Sequence, residues 1–185
     1  GLVQDVLNAF LRPKGFLLGP DTASSSRATL GGMMGNNSAG ARSVLYGKTI
    51  DHVLEMTVVL SNGEEARLNP AQPHELAVLL KGDRLENCLY REVQALAQQH
   101  REEIERRYPK LMRRVSGYNL DEFTKDQPFN LGRMVIGSEG TLAVITEAKV
   151  KIMPRPKLTA LDVVHFRSLV DAVESSQEIL SFQPA

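Results

Sequence analysis

The stretch Thr29–Gly47, TLGGMMGNNSAGARSVLYG, decides how the rest of the chain is read. Five glycines (Gly31, Gly32, Gly35, Gly40 and Gly47) stand among the short polar side chains of Asn36, Asn37, Ser38 and Ser43. Glycine has no Cβ, so backbone N–H groups can come close to a ligand, and successive N–H groups can form a concave nest for an anion. The Asn amides and Ser hydroxyls add neutral donors and acceptors. No Lys or Arg lies between Thr29 and Ala41, so a phosphate held there is held by dipoles and not by full charges. Two familiar phosphate motifs fail on inspection. Gly47-Lys48-Thr49 ends a P-loop pattern, but Arg42 stands where its first glycine belongs. Gly32-Met33-Met34-Gly35 ends a dinucleotide fingerprint, but Leu30 stands where that motif begins with glycine. A glycine-rich turn that only packs a helix on a strand would have the same composition.

The 185 residues fit one medium domain, or one domain and a piece of another. With 42% apolar and 24% charged residues the chain has an ordinary globular balance. A formal net charge of zero argues against an electrostatic nucleic-acid binder. Cys88 is the single cysteine, which excludes an internal disulfide and points to a reducing compartment, the cytoplasm. His52, His74, His100 and His165 are scattered without metal-ligand spacing, and no metal site is expected. No apolar run approaches the ~20 residues of a membrane helix. The first residues, GLVQDVLNAF, carry neither a basic start nor a signal-peptide run and read as if cut from a longer chain.

Along the chain, Leu2, Val3, Val6, Leu7 and Phe10 recur on one helical face, and Pro13 and Gly15 close that helix. Phe16-Leu17-Leu18 reads as a short strand leading to Pro20-Asp21, and Ser24–Arg27 as loop. Met33 and Met34 read as packing residues. Val53–Leu60 is apolar and β-branched, a buried strand, and Asn62-Gly63 predicts a hairpin turn into Glu64–Leu68. Pro73–Lys81 predicts a short helix. Residues 84–108 predict one long helix, with Leu85, Leu89, Val93, Leu96 and Ile104 inward and Glu102–Arg106 and Glu103–Arg107 paired outside. The mixed-sign run REEIERRYPKLMRR reads as a solvated face. In Val115–Leu120, Tyr118 reads either as a core residue with Asn119 capping a helix or as part of a functional turn. After Gly137–Thr141, alternation along 144–152 predicts a strand. Pro154-Arg155-Pro156 marks a linker. Leu161–Phe166 predicts a strand, and Ser168-x-x-Asp171 opens a helix to about Leu180. The apolar faces of 85–104 and 144–152 are expected to build the core. The fold class is α+β: a small mixed or antiparallel sheet packed with helices, followed by a βα unit.

Pro20-Asp21, Thr29-Leu30-Gly31-Gly32, Asn36-Asn37-Ser38-Ala39-Gly40 and Tyr46-Gly47, with Gly137-Ser138-Glu139-Gly140-Thr141-Leu142 and Val144-Ile145-Thr146-Glu147 far downstream, resemble the FAD-binding domain of the vanillyl-alcohol oxidase / p-cresol methylhydroxylase family. The likeness runs from about Phe16 to about Leu180 and is greatest to FAD-linked 2-hydroxyacid dehydrogenases acting on D-lactate, glycolate or D-2-hydroxyglutarate. It implies FAD as cofactor. It also implies that the cofactor is held by Pro20, Asp21, Ser24, Thr29, Gly31, Gly32, Gly35, Asn36, Asn37, Ser38, Ala39, Gly40, Tyr46, Glu139, Gly140, Thr141, Leu142, Val144 and Ile145. A helix beginning near Gly31 or Gly32 would then aim its first N–H groups at a pyrophosphate or ribityl chain. In the resembled family the Gly-Tyr-Asn-Leu segment lies near the flavin ring. Thr22 stands where proline is frequent, a departure expected to matter little, and Ala143 stands where glycine is usual.

The same resemblance divides the chain at residues 1–156, the second half of a divided FAD-binding domain, and 157–185, the start of a substrate-binding cap. The pyrophosphate loop of the first half has no counterpart before Phe16. The implied activity is oxidation of a 2-hydroxyacid by hydride transfer to flavin, with electrons passed to an unspecified acceptor, if need be at the inner membrane surface. No residue here matches a catalytic acid or base. The alternatives are a non-catalytic nucleotide-binding or interaction module and, against Arg42, a P-loop protein.

Overall fold

The computed structural model describes residues 1–182. Helix α1 (Gln4–Leu11) ends in a tight turn at Arg12–Lys14, closed by Gly15 at φ +77°. Strand β1 (Phe16–Leu17) follows, then a loop to α2 (Leu30–Asn36), α3 (Ser43–Tyr46), and β2 (Val53–Val59). The Asn62-Gly63 turn forms as expected. Leu60 N–H donates to Glu64 O, Gly63 N–H donates back to Leu60 O, Asn62 Oδ1 accepts from Glu64 N–H, and Gly63 has φ +83°. It leads into β3 (Glu65–Leu68). Helix α4 is Pro73–Leu79, with proline at its first position, where the missing N–H costs nothing.

The predicted long helix is two. Helix α5 (Leu85–Gln99) stops at His100, which leaves helical geometry (φ −110°, ψ 17°), and α6 (Arg101–Arg107) starts on a new axis. There is no proline or glycine at the break. The new axis buries Ile104 and brings the Arg101 guanidinium to Thr124 O at 3.1 Å. The outer pairs follow suit: Arg101 meets Glu105, and Glu103 takes both Arg106 and Arg107, in place of the expected Glu102–Arg106 pair. Of the expected inward stripe, Leu96 remains 45% exposed, and Tyr90, Val93 and Ala97 carry the contact.

Helix α7 (Gly132–Val135), strand β4 (Val144–Val150) and β5 (Met153–Pro154) complete the packed part. The main sheet is antiparallel with order β3-β2-β4, and β1 pairs antiparallel with β5 through Phe16–Pro154 and Leu17–Met153. The class is α+β, as expected. The core lies between the inward face of β2 (Val53, Met56, Val58) and Tyr90, Val93, Leu131, Met134 and Ile136. Strand β4 contributes less than expected: Ile145 and Val150 pack against this core, but β4 is an edge strand and Val144 is 65% exposed. The alternation along 144–152 gave the strand, but one flank of β4 lies against nothing among the described residues.

Two further expectations fail toward the C-terminal end. Leu161–Phe166 is irregular and exposed: a strand needs a neighbour to close its ladder, and among the described residues none lies beside it. The single helix to Leu180 is α8 (Leu169–Glu174) and α9 (Ser176–Ser181). Ser168 Oγ does cap Asp171 N–H. The break comes where Ser175 and Ser176 hydroxyls bond back to Asp171 O and Val173 O, competing with the helical ladder.

Candidate functional site

The two blocks singled out in the sequence meet. Met34 O accepts from Gly137 N–H and Gly35 O from Glu139 N–H, both at 2.9 Å. Asn36 Nδ2 donates to Glu139 Oε1 at 2.9 Å across 103 positions of chain. Gly137 (φ +82°), Glu139 (φ +53°) and Gly140 (φ +76°) turn the second block through left-handed geometry. A glutamate in that region is disfavoured by roughly 1–2 kcal/mol, and the two backbone bonds to 34–35 with the Asn36 bond over-determine it. Beside them, Thr141 Oγ1 donates to Ser138 O at 2.6 Å and sits 3.0 Å from Tyr118 Oη.

Helix α2 begins where the glycines predict, with Thr29 as its cap: Gly32 N–H donates to Thr29 Oγ1 at 3.2 Å. Its first donors are otherwise turned to the chain, Leu30 N–H to Leu2 O and Met33 N–H to Thr29 O. Gly31 N–H is left as the donor without a protein acceptor among the described residues. A Cβ at Gly31 would find no atom within 4 Å, and at Gly32 only the Thr29 hydroxyl. Gly31 faces open space, and Gly32 is crowded only by that hydroxyl. Gly140 faces open space too, and a Cβ at Gly35 would lie 4.0 Å from Glu139 Cα and Gly140 N. Gly31, Gly32, Asn36, Ser38, Glu139, Gly140, Thr141 and Tyr118 thus form an exposed shelf of neutral donors and acceptors with one carboxylate. The chemistry of that donor set fits the hydroxyls and ring edges of a large polar cofactor better than a bare phosphate.

Other residues of the expected set have different surroundings. Asn37 is buried, in left-handed geometry (φ +54°), and its Oδ1 accepts from Ile50 N–H at 3.0 Å. Gly40 is pressed on the Asp21 backbone: an added Cβ would fall well inside contact distance of the Asp21 carbonyl. Its N–H donates to Ser43 Oγ at 2.8 Å. Pro20 is buried with its carbonyl on Gln4 Nε2. Asp21 receives Arg42 N–H and pairs with Arg42 Nε at 3.1 Å. Ser24 O accepts two turn N–H groups, Ala39 is half-buried, and Tyr46 is buried with its carbonyl 2.6 Å from His52 Nε2. Leu142 and Val144 are exposed and Ile145 half-buried.

Four residues carry more than the sequence suggested. Thr22, where proline would have been acceptable, donates its hydroxyl to the buried Gln4 Oε1 at 2.7 Å and so ties the Pro20–Thr22 loop to α1. Arg113, expected on a solvated face, reaches Gly40 O at 2.6 Å and Ala41 O at 3.3 Å. Arg114 lies over the Tyr108 ring and pairs with Asp121. Only sign-mixing in the run spoke for exposure, and nothing in the sequence tells which arginines turn inward. Asn119 caps no helix; its Nδ2 donates to Ile136 O at 2.6 Å and Arg133 O at 3.2 Å, fixing the turn that presents Tyr118. Tyr118 itself is 43% exposed and is no core residue.

Residues 1–69 match the family described as FAD binding domain. Its cofactor is FAD. The whole chain is 37% identical over 185 residues to a D-2-hydroxyglutarate dehydrogenase of Pantoea ananatis (strain AJ13355), covering 99% of this chain and 18% of that protein. It is 39% identical over 179 residues to a D-2-hydroxyglutarate dehydrogenase of Escherichia coli (strain K12), covering 95% and 18%. It is 27% identical over 180 residues to a glycolate oxidase subunit of Bacillus subtilis (strain 168), covering 97% and 27%. The chain therefore spans less than a fifth of the length of the D-2-hydroxyglutarate dehydrogenases. A solved alkyldihydroxyacetonephosphate synthase superposes with a TM-score of 0.55 at 21% identity, over 98% of this chain and 25% of that one, a likeness of fold alone. The shelf draws Gly31, Gly32, Asn36 and Ser38 from the stretch that matches the FAD-binding domain, and Glu139 to Thr141 from outside it.

Within the described residues no group of acids, histidines and cysteine could hold a metal ion, and no helix is long and apolar enough to cross a membrane.

Proposed function

We propose that the shelf holds part of FAD in a flavin-dependent oxidoreductase acting on a 2-hydroxyacid, with D-2-hydroxyglutarate the first substrate to test. The observation that carries this is the junction of the two glycine blocks: Gly35 O to Glu139 N–H and Asn36 to Glu139. When bound, the flavin supplies the two-electron acceptor, and the protein supplies orientation. In this reading Gly31 N–H, Ser38 Oγ and Thr141 Oγ1 bind cofactor oxygens, and Glu139 Oε atoms accept from its hydroxyls or amino group. Gly31, Gly32 and Gly140 keep the approach clear. Asn37, Pro20, Gly40 and Tyr46 act one layer back, by holding the backbone of the shelf. The substrate would lose its C2 hydrogen as hydride and its hydroxyl proton to a base supplied elsewhere, leaving a 2-oxoacid; no acid or base of this chain is assigned to that step. Residues 1–156 form the cofactor-binding part in this reading, and 157–185 open a substrate-binding cap. A cytoplasmic location and a separate electron acceptor belong to the same proposal.

The reading is tested on the full-length protein by its visible spectrum. A flavin absorption that bleaches under anaerobic D-2-hydroxyglutarate, and not under L-2-hydroxyglutarate, is expected. A protein that binds no flavin when FAD is supplied contradicts it and leaves a non-catalytic module.

A further inference from the structure

The Asp21–Arg42 pair lines a pocket of about 260 Å³ to which three arginines from separate parts of the chain contribute: Arg12 after α1, Arg42 from the glycine-rich stretch and Arg155 after β5. Their placement is fixed by backbone. Gly15 N–H donates to Arg12 O at 3.1 Å, and Arg155 N–H donates to Gly15 O at 2.8 Å, so the 12–15 turn holds both arginines side by side. The ladder of β1 on β5 repeats that constraint. Among the described residues Asp21 is the one acid lining the pocket, and it is taken by Arg42 through both its N–H and Nε. Arg12 and Arg155 have no ion pair among the described residues. The lining therefore carries two guanidinium charges in excess. Asn8 adds a donor: its Oδ1 is used by Leu18 N–H at 2.8 Å, which leaves its NH2 for a ligand. Phe16 and Leu17 form an apolar wall.

Like charges held in one concavity repel, even where, as for these exposed arginines, solvent and salt screen them. An oxyanion removes it. Guanidinium forks match carboxylate and phosphate oxygens two at a time, which a lysine cannot do. We propose that this pocket is an oxyanion site, taking the phosphate or carboxylate group of a small ligand other than the flavin. Arg12 and Arg155 lie outside the shelf, so the proposal does not rest on the flavin reading.

The test is calorimetric titration of the full-length, FAD-supplied protein at low salt with inorganic phosphate and, separately, with glutarate. At least one is expected to bind, with affinity falling as ionic strength rises, and R12Q/R155Q is expected to weaken that binding at least ~10-fold, about 1.4 kcal/mol. R12K/R155K keeps the charge but not the fork and should recover only part. Which anion binds tells phosphate from carboxylate, and either supports the site. Should the double variant unfold, R12Q alone carries the test, with a weakening of several-fold expected. Absence of binding by both anions, or unchanged affinity in the variants, overturns the proposal. So does loss of flavin in place of loss of anion, because the pocket would then belong to the cofactor.

Discussion

The two ends of the glycine-rich stretch look alike in sequence and do opposite things in space. At Gly31 the side a Cβ would occupy is open, and at Gly32 only the Thr29 hydroxyl stands near it, at 3.1 Å. At Gly40 that side is filled by the Asp21 backbone, and at Gly47 (φ +76°) by Asp51, whose Oδ2 caps Lys48 N–H. One pair of glycines leaves room for something that is not protein, and the other pair lets protein close on itself. The flavin-facing argument therefore belongs to the first pair, and the second explains why the loop stands where it does.

That contrast is broken most forcefully at Gly40. Gly40→Ala must push 40–42 away from Asp21, losing the Arg42–Asp21 pair and the Arg113 bonds. A loss on the order of 3 kcal/mol or more is expected, read as the urea midpoint; a midpoint within error of the parent would show the closed end to be open as well. Asn37→Ala comes next. It orphans the buried Ile50 N–H, at about 1–3 kcal/mol, and places alanine in left-handed geometry, while Asn37→Gly relieves the second cost only. Urea curves for the two should separate in that order, and equal midpoints would remove the conformational part of the account.

A smaller effect is expected from pH. Burial pushes the Glu122 carboxyl up, but its hydrogen bond with Lys125, the Lys125 and Arg133 charges and Gln127 outweigh burial and hold it below the usual carboxylate range. A folded-state value below the unfolded one stabilises the fold above the unfolded pKa, and that contribution is lost as pH falls through the folded one. Glu122→Gln should flatten the acid limb of a stability-versus-pH curve; an unchanged limb would assign acid sensitivity to other carboxylates. The smallest change is Gly31→Ala, where an open helical position should gain between zero and ~1 kcal/mol from helix propensity. A clear destabilisation in thermal melts would mean that the open side is not open.

Much of this was legible in the chain because it is local. The Gly15 stop, the Thr29 start of α2, the Asn62-Gly63 turn and the Ser168 cap each depend on one or two residues and their neighbours. The pairing of distant blocks was legible only through resemblance, since no periodicity brings Asn36 to Glu139. What failed depended on partners. Leu161–Phe166 is rich in apolar residues but has no neighbouring strand among the described residues, and β4 has a core-like pattern on an open edge. The resemblance implies a cofactor contact for Asn37, and in the fold its Oδ1 serves the buried Ile50 N–H, a partner that no local pattern announces. Arg113 shows the converse: a charge in a polar run turned inward to the Gly40 and Ala41 carbonyls.

The central claim is that the open end of the glycine stretch faces the flavin. Gly31 tests it more cleanly than Gly32, whose added Cβ would also press on the Thr29 cap at 3.1 Å. The measurement is the flavin-to-protein ratio of full-length Gly31→Val, purified with FAD present, beside its thermal midpoint. A ratio near zero at a midpoint within a few degrees of the parent is expected, because valine fills the approach without touching the core. A normal ratio at an unchanged midpoint would show that nothing but solvent faces Gly31, and the shelf would lose its assignment.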